Sequence, residues 1–297
     1  MTSQTVDTRT IATPDGRQLM LELGGDPSGL PVVVHNGTPN LRHLYGPWLD
    51  DAAQRGLQLI SYDRPGYGGS TAQPGRTVAD CADDVRAIAD TLDLPRLAVW
   101  GSSGGGPHAL ACAALLPDRV AAVAALCSPA PYGSAGLDHF AGMGEDNVDD
   151  TKLFLTDRAA AREKSRSDRL EMLQRTPEQL NDGLKTLLSP VDAAVLVDGF
   201  AEWLVRCFQD GLAHDDEGWW EDGAAHLSPW GFDLAAIRVP VQVWHGRHDR
   251  FVPFQHGEWL AAHVPRAEAH LSNNDGHLTL LVDRIPEVHS WLAGHLG

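Results

Sequence analysis

The sequence predicts an α/β fold: a mostly parallel, doubly wound sheet with a helical cap inserted into it. Apolar runs of strand length alternate with helical stretches in the first part of the chain, and the alternation resumes near its end. Between these parts, residues 132–231 contain helical stretches and no strand-like run. We therefore expect residues 1–131 and 232–297 to form the core, and residues 132–231 to form the cap (lid).

The individual elements follow from local residue patterns. Residues 8–13 and 18–23 alternate apolar and polar side chains around Pro14-Asp15-Gly16, which predicts an antiparallel hairpin. Apolar runs typical of buried parallel strands occur at residues 31–34, 57–62, 97–100, 120–127, 239–244 and 267–271. Helical patterns occur in the core at residues 48–55, 78–92, 107–116, 255–263 and 285–296, and in the cap at residues 151–173, 177–188 and 193–208.

Charge and composition exclude several classes of partner. A net charge of −17 argues against binding to nucleic acid or to an anionic membrane, because both attract basic proteins. No apolar run approaches the length of a membrane span, and residues 1–7 lack the basic and apolar segments of a signal peptide. The four cysteines share no CxxC spacing, which favours free thiols. We expect a cytoplasmic protein that binds a small-molecule substrate, and a homodimer is the one assembly left open.

The chemistry of the chain is expected at Gly101-Ser102-Ser103-Gly104-Gly105. This segment lies between a predicted strand and a predicted helix, which is the context in which a serine can be held in a strained turn with its side chain exposed. Glycine at positions 101 and 105 removes the Cβ atoms that would clash as the strand and the helix approach. Only Ser103 has glycine two residues before and two residues after it, so Ser103 is favoured over Ser102 as the nucleophile.

Five segments together resemble the α/β-hydrolase family, in its serine-nucleophile branch with a helical cap. They are the Gly101–Gly105 turn, Asn36-Gly37-Thr38-Pro39, Asp63-Arg64-Pro65-Gly66-Tyr67-Gly68, His245-Gly246-Arg247-His248-Asp249 and Asp275-Gly276-His277. The resemblance covers the core and follows the family order of nucleophile, acid and histidine. No motif covers the cap.

The resemblance implies a Ser103–His277–Asp249 triad. Ser103 would attack a carbonyl carbon, His277 would act as general base and then general acid, and Asp249 would orient the imidazole. Asp275 and Asp63 compete with Asp249 as the acid. Asp275 is only two residues from His277, and Asp63 lies in a turn-rich loop, so Asp249 is favoured.

The resemblance also implies an oxyanion hole of two backbone N–H groups. Gly104 would supply one, and the loop after Val34 would supply the other. Either Gly37 or Thr38 could donate the second, and Thr38 is favoured. No HxxxH or HExxH spacing occurs among the histidines, so we expect no metal and no cofactor.

The cap tryptophans suggest an apolar, aromatic pocket, formed by Trp203, Trp219 and Trp220, although each could equally be a core residue. The favoured activity is hydrolysis of a carboxylic ester or lactone of a small, largely apolar substrate. Three alternatives stay open: a prolyl-type aminopeptidase, a C–C bond hydrolase and a hydrolase-like binding protein without turnover. In the aminopeptidase, Glu217, Glu221 and Asp222 would hold the substrate amine.

Overall fold

The structure, a computed structural model, describes residues 6–297. Residues 1–5 lie outside the described residues. They make up most of residues 1–7, the segment for which the sequence predicts no signal peptide. The strands are β1 (Asp7–Ala12), β2 (Gln18–Gly25), β3 (Leu30–His35), β4 (Leu57–Tyr62), β5 (Leu97–Ser102), β6 (Val120–Leu126), β7 (Val241–Gly246) and β8 (Glu268–Ser272).

These strands form one eight-stranded sheet in the order β1-β2-β4-β3-β5-β6-β7-β8. The predicted hairpin is confirmed, with Ala12 opposite Gln18 at the turn. Strand β2 is antiparallel to both of its neighbours, and all pairs from β4 to β8 are parallel. The predicted mostly parallel sheet is therefore confirmed.

Eleven α-helices occur within residues 6–297. In the core they are α1 (Gly46–Gln54), α2 (Cys81–Thr91), α3 (Gly106–Leu115), α10 (Phe254–His263) and α11 (Ile285–Leu296). Between β6 and β7 they are α4 (Glu145–Thr156), α5 (Arg158–Gln174), α6 (Leu180–Gly183), α7 (Pro190–Val195), α8 (Asp198–Gly211) and α9 (Glu217–Leu227). The described chain has no strand between β6 and β7, as the pattern predicts.

Helices cover both faces of the sheet, because alternate residues of each buried strand point to opposite faces. On one face, Val99 of β5 packs in a cluster with apolar residues of α2, α3 and α10. On the other face, Trp100 packs in a cluster with residues of α1, α8 and α11. Among residues 6–297, each helix is too short or too polar to cross a membrane.

The connections that follow β3, β5, β6, β7 and β8 all leave the carboxyl edge of the sheet. In an open parallel sheet this edge is where ligands usually bind. The loop after β3 (residues 36–40, the β3 loop), Ser103, Cys127, Asp249 and His277 follow these five strands directly or within a few residues. The topology therefore brings them to one edge.

Candidate active site

Ser103 lies at the sharp turn between β5 and α3. Its φ of 53° is in the left-handed region, which is costly for a residue with a Cβ atom. A one-turn 3₁₀ helix from Ser103 to Gly105 leads directly into α3. Ser103 is half-buried and lines a cavity. The strained turn thus presents its side chain to the cavity.

Close backbone contacts explain the two glycines that flank Ser103. A Cβ atom on Gly101 would clash with the carbonyl oxygen of Gly105. A Cβ atom on Gly105 would clash with the carbonyl oxygen of His35, at the end of β3. Only glycine allows β3, β5 and the start of α3 to approach this closely.

Asp249 and His277 form a buried hydrogen-bonded pair. The distance from His277 Nδ1 to Asp249 Oδ2 is 2.7 Å. The Oδ1 atom of Asp249 accepts hydrogen bonds from the backbone N–H groups of Phe251 and Val252, at 2.9 and 2.8 Å. The carboxylate is therefore fixed by its own loop and fixes one nitrogen of the imidazole.

The pKa values of the pair move apart, as expected for an ion pair. Burial by itself would raise the pKa of Asp249, but His277 and His245 lower it to about 2. Burial by itself would lower the pKa of His277, but the Asp249 charge and the neighbouring Cys127 raise it well above its usual value. The pair therefore stabilises the protonated imidazole, the form that a general base acquires.

The other two candidate acids have different partners. The Asp275 carboxylate lies 3.0 Å from Arg284 Nε. The Asp63 carboxylate lies 2.6 Å from Arg42 and accepts the backbone N–H of Gly69. Of the three carboxylates weighed from the sequence, the structure brings only Asp249 to His277.

The structure does not join Ser103 to His277 through a hydrogen bond. Within residues 6–297 the Ser103 hydroxyl makes no hydrogen bond, although Ser103 follows β5 and His277 follows β8 at the same edge of the sheet. The thiol of Cys127, which the sequence reasoning left out, lies beside the His277 ring instead. Burial raises the pKa of this thiol, so it stays protonated near neutral pH. All four cysteines are free and buried.

Cys127, Asp249 and His277 are the one group within the described chain whose ligand atoms are close enough for a metal, within 4.8 Å of one another. The Asp249 oxygens, however, already accept hydrogen bonds from His277 and from two backbone N–H groups. These hydrogen bonds account for the cluster without an ion, so the donor set is a poor fit to a metal.

Thr38 and Gly104 lie against each other in the lining of the cavity. Both line it, and a Cβ atom on Gly104 would clash with Thr38 Oγ1. Gly37 is also close, since a Cβ atom there would lie 3.2 Å from Ser103 Cβ. The structure thus brings the β3 loop and the Ser103 turn together, and both candidates for the second N–H stay near Ser103.

A buried ionic network supports the β3 loop from α9. Asp222 lies 2.5 Å from Arg64 and 2.6 Å from Arg76, and its carboxylate is completely buried. It also accepts hydrogen bonds from Thr38 Oγ1 at 2.7 Å and from Tyr67 at 3.0 Å. Burial opposes its charge, but the two arginines hold the pKa of Asp222 well below its usual value.

A second buried carboxylate, Asp192 of α7, holds the backbone around His277. It accepts hydrogen bonds from the N–H groups of His277 at 3.1 Å, Leu278 at 2.7 Å and Thr279 at 3.3 Å. The hydroxyl of Ser189 completes its partners at 2.7 Å. A helical segment begins at Leu278, so Asp192 satisfies the free N–H groups of its first turn.

The cavity has a volume of about 300 Å³ and is lined mainly by α4, α5 and α9. Its larger aromatic and apolar lining residues include Met143, Leu153, Phe154, Trp219, Trp220 and Leu227. Trp219 and Trp220, two of the three tryptophans proposed for a substrate pocket, line this cavity. Trp203 does not: it is 8% exposed, packs against Trp48 and donates a hydrogen bond to the His43 carbonyl. Its position on the apolar face of α8 directs it into the core.

Comparison with known proteins adds the family context. A family model described as alpha/beta hydrolase fold matches residues 31–283. The chain is 30% identical over 284 residues to a non-heme chloroperoxidase from Streptomyces lividans, covering 94% of this chain and 95% of that protein. It is 26% identical to a 2-hydroxy-6-oxononadienedioate/2-hydroxy-6-oxononatrienedioate hydrolase from Cupriavidus pinatubonensis, covering 83% of this chain and 79% of that protein.

Solved structures show the same fold. The crystal structure of the esterase RhEst1 from Rhodococcus sp. ECU1013 superposes with a TM-score of 0.70 at 21% identity, covering 98% of this chain and 99% of that chain. At this identity the likeness concerns the fold alone.

Proposed function

The chain belongs to the alpha/beta hydrolase fold family, and we propose that it is a serine hydrolase of a carboxylic ester or lactone with a small, largely apolar group. The observation that carries this proposal is the strained Ser103, which lines a cavity at the same sheet edge as the Asp249–His277 pair. A positive φ at a serine is costly, and such strain persists mainly where it serves function.

In the proposed reaction, the Ser103 hydroxyl attacks the substrate carbonyl carbon while His277 Nε2 accepts its proton. Collapse of the tetrahedral intermediate breaks the bond to the leaving alcohol, which takes that proton from His277. Water then attacks the acyl-enzyme with the same proton transfers, and releases the acid. The Asp249 carboxylate, 2.7 Å from Nδ1, keeps this nitrogen protonated, so that Nε2 is the basic atom.

This mechanism needs a hydrogen bond from Ser103 to His277 in the substrate complex. Catalytic hydrogen bonds are often long or misaligned in unliganded enzymes and tighten only when substrate binds. Rotation of the Ser103 side chain at the open cavity is the movement that the proposal requires.

The oxyanion would be held by the backbone N–H groups of Gly104 and Thr38. Gly104 follows the nucleophile at the start of a helix, where N–H groups attract negative charge. Thr38 lies against it, and the Asp222 network fixes its side chain. Loss of one oxyanion donor typically costs about 2.7–4 kcal/mol of transition-state stabilisation.

The cavity supports an apolar or aromatic substrate without negative charge. Phe154, Trp219 and Trp220 offer aromatic surface. The one basic side chain in the cavity lining, Lys164, lies 3.0 Å from Asp150 and 2.6 Å from Asp168, which also line it. This wall thus has two carboxylates for one ammonium. A dienedioate, such as the relative's name specifies, carries two negative charges and would be repelled, so C–C bond hydrolysis is less well supported.

The aminopeptidase alternative is also less well supported, because the acidic residues that would hold a substrate amine have other partners. Asp222 is buried between Arg64 and Arg76. Glu217 pairs with Arg162, and Glu221 accepts the backbone N–H of Gly75 at 2.8 Å.

The cap is part of the same proposal. Helices α4, α5 and α9 supply most of the cavity lining, and all three lie within residues 132–231. We assign this segment as the cap that shapes the acyl or alcohol pocket, while the two core segments carry the reacting groups.

The test is a panel of chromogenic esters, lactones and amino-acid arylamides with wild-type protein, Ser103→Ala and Ser102→Ala. Ser102 is the neighbouring serine at the end of β5 and is 2% exposed, so it serves as the matched control. We expect Ser103→Ala to abolish ester hydrolysis and Ser102→Ala to retain it. Full hydrolysis by Ser103→Ala, or arylamide cleavage in place of ester cleavage, contradicts the proposal. If wild-type protein shows neither a burst of released chromophore nor turnover with any compound of the panel, the chain is a binding protein.

A further inference from the structure

His226 of α9 is a cavity residue to which the proposed mechanism gives no role. Its Nε2 atom lies 3.0 Å from the carbonyl oxygen of Gly104, the residue after the nucleophile. A carbonyl oxygen can only accept, so Nε2 carries a proton. In the neutral ring the other nitrogen, Nδ1, then carries a lone pair and acts as an acceptor. Within residues 6–297, Nδ1 makes no hydrogen bond.

The imidazole is neutral at ordinary pH. Burial lowers the pKa of His226 to about 4. The nearby Arg64 charge also lowers this pKa, whereas the Asp222 charge raises it. Its helix is also held firmly, because Asp222, one turn earlier on α9, is buried between Arg64 and Arg76. His226 therefore presents a fixed neutral acceptor rather than a mobile or charged group.

This acceptor lies beside the proposed reaction centre. A Cβ atom on Gly104 would approach His226 Cε1 to 2.9 Å and would also meet Thr38 Oγ1. Cε1 is bonded to both ring nitrogens, so Nδ1 lies one bond from the ring atom that approaches Gly104, the residue that would supply the first oxyanion donor. A substrate group attached close to the scissile carbonyl can reach it, whereas more distant groups meet the aromatic wall of Phe154, Trp219 and Trp220.

We propose that His226 Nδ1 accepts a hydrogen bond from a hydroxyl on the carbon next to the scissile carbonyl, so that 2-hydroxyacyl esters or lactones are the preferred substrates. This inference rests on the proposed function. A hydroxyl fits better than an ammonium, because a neutral acceptor in a mostly buried position cannot balance the desolvation of a positive charge. Asp222, the nearest buried carboxylate on the same helix, is already neutralised by two arginines.

His108 provides a matched control. Its Nδ1 lies 2.9 Å from the same Gly104 carbonyl oxygen, yet its side chain is fully buried and is not part of the cavity lining. His226→Phe and His108→Phe each remove one hydrogen bond to Gly104, and only His226→Phe also removes the acceptor in the cavity. A purely structural role for His226 would give the two variants the same substrate preference.

The experiment compares kcat/KM for the 4-nitrophenyl esters of 2-hydroxy-3-phenylpropanoic acid, as single enantiomers, and of 3-phenylpropanoic acid. Any loss of activity that affects both esters equally cancels in the ratio of the two kcat/KM values. We expect His226→Phe to lower the ratio about fivefold, since a net hydrogen bond is worth roughly 1 kcal/mol, and His108→Phe to leave it unchanged. His226→Gln, whose amide can both donate to Gly104 and accept from the hydroxyl, should restore part of the ratio.

Binding to Ser103→Ala tests the inference without turnover. Calorimetry with the same two esters should give a Kd about fivefold lower for the hydroxy ester. If wild-type protein hydrolyses neither ester but Ser103→Ala keeps this difference, the proposed hydrolysis fails and the role of His226 stands. If both esters are hydrolysed with a ratio that His226→Phe leaves unchanged, the role of His226 is overturned and the hydrolase stands. Equal affinities of Ser103→Ala for the two esters also overturn it.

Discussion

The Asp192 carboxylate of α7 accepts a 3.1 Å hydrogen bond from the backbone N–H of His277. Asp192 lies in the segment between β6 and β7, whereas His277 follows β8, so this contact joins the proposed cap to the proposed general base. The fit is close: a Cβ atom on Gly276 would clash with the Asp192 carboxylate. The position of His277 therefore depends on a residue of the proposed cap.

Asp192→Ala should lower kcat much more than it changes KM. The substitution leaves three backbone N–H groups without their acceptor, and it should reduce the free energy of unfolding by about 2 kcal/mol. The matched control is Ser189→Ala, which removes one partner of the same carboxylate and should have a smaller effect on both quantities. Steady-state kinetics and urea unfolding measure them. A kcat equal to that of the wild-type protein would show that Asp192 does not position His277.

Asp249→Asn should move the pH dependence of kcat/KM to lower pH while lowering its maximum. The Asp249 charge raises the pKa of His277 above its usual value, so the wild-type enzyme gains activity as pH rises and His277 loses its proton. Without the charge, His277 becomes neutral at a lower pH. The tautomer is no longer fixed, and the maximum should fall by up to about 10⁴-fold. Unchanged pH midpoints in a titration of kcat/KM would contradict the assignment of Asp249.

Asp222→Asn should destabilise the protein and weaken catalysis together. It leaves Arg64 and Arg76 without their buried counter-ion, which typically costs about 3–5 kcal/mol. Because the folded pKa of Asp222 is depressed, its contribution is complete above the unfolded value of about 4 and is lost as pH falls below it. Urea unfolding at several pH values should therefore show the largest difference from wild type at neutral pH.

The control for this variant is Glu221→Gln, on the same helix but bound only to the Gly75 backbone among the described residues. It should cost under about 1 kcal/mol, as most surface changes do. Equal stability losses for Asp222→Asn and Glu221→Gln would remove the special role of the buried network.

Removal of metal ions should leave ester hydrolysis unchanged. The Asp249 oxygens are occupied by N–H donors, so Cys127, Asp249 and His277 fit a hydrogen-bonded cluster better than a metal site. Dialysis against a strong chelator, followed by rate measurements, checks this expectation. A loss of activity that zinc restores would contradict it.

Local patterns were enough to predict the elements of the core. The strand predicted at residues 57–62 and the helix predicted at 285–296 have the observed bounds, because apolar periodicity and adjacent turn residues mark both ends. Strand β7 begins at Val241, two residues later than predicted, directly after Pro240, which has no N–H to donate to a sheet.

Contacts between distant residues were not predictable from such patterns. His226 lies 122 residues from its partner Gly104, and Asp192 lies 85 residues from His277. A lone histidine or aspartate in a helical stretch gives no sign of which loop it will meet. Trp203 and Trp219 show the same limit, since one packs in the core and the other lines the cavity, although both lie between β6 and β7.

The most direct test of Ser103 as the nucleophile is to locate the acyl group on the protein. Wild-type protein is mixed with a slowly deacylated 4-nitrophenyl ester, quenched in acid, digested and analysed by mass spectrometry. We expect one acyl group per chain, on the peptide that contains Ser103, and no adduct with Ser103→Ala. An acyl group on the peptide of Cys127, or turnover by Ser103→Ala at the wild-type rate, would contradict it.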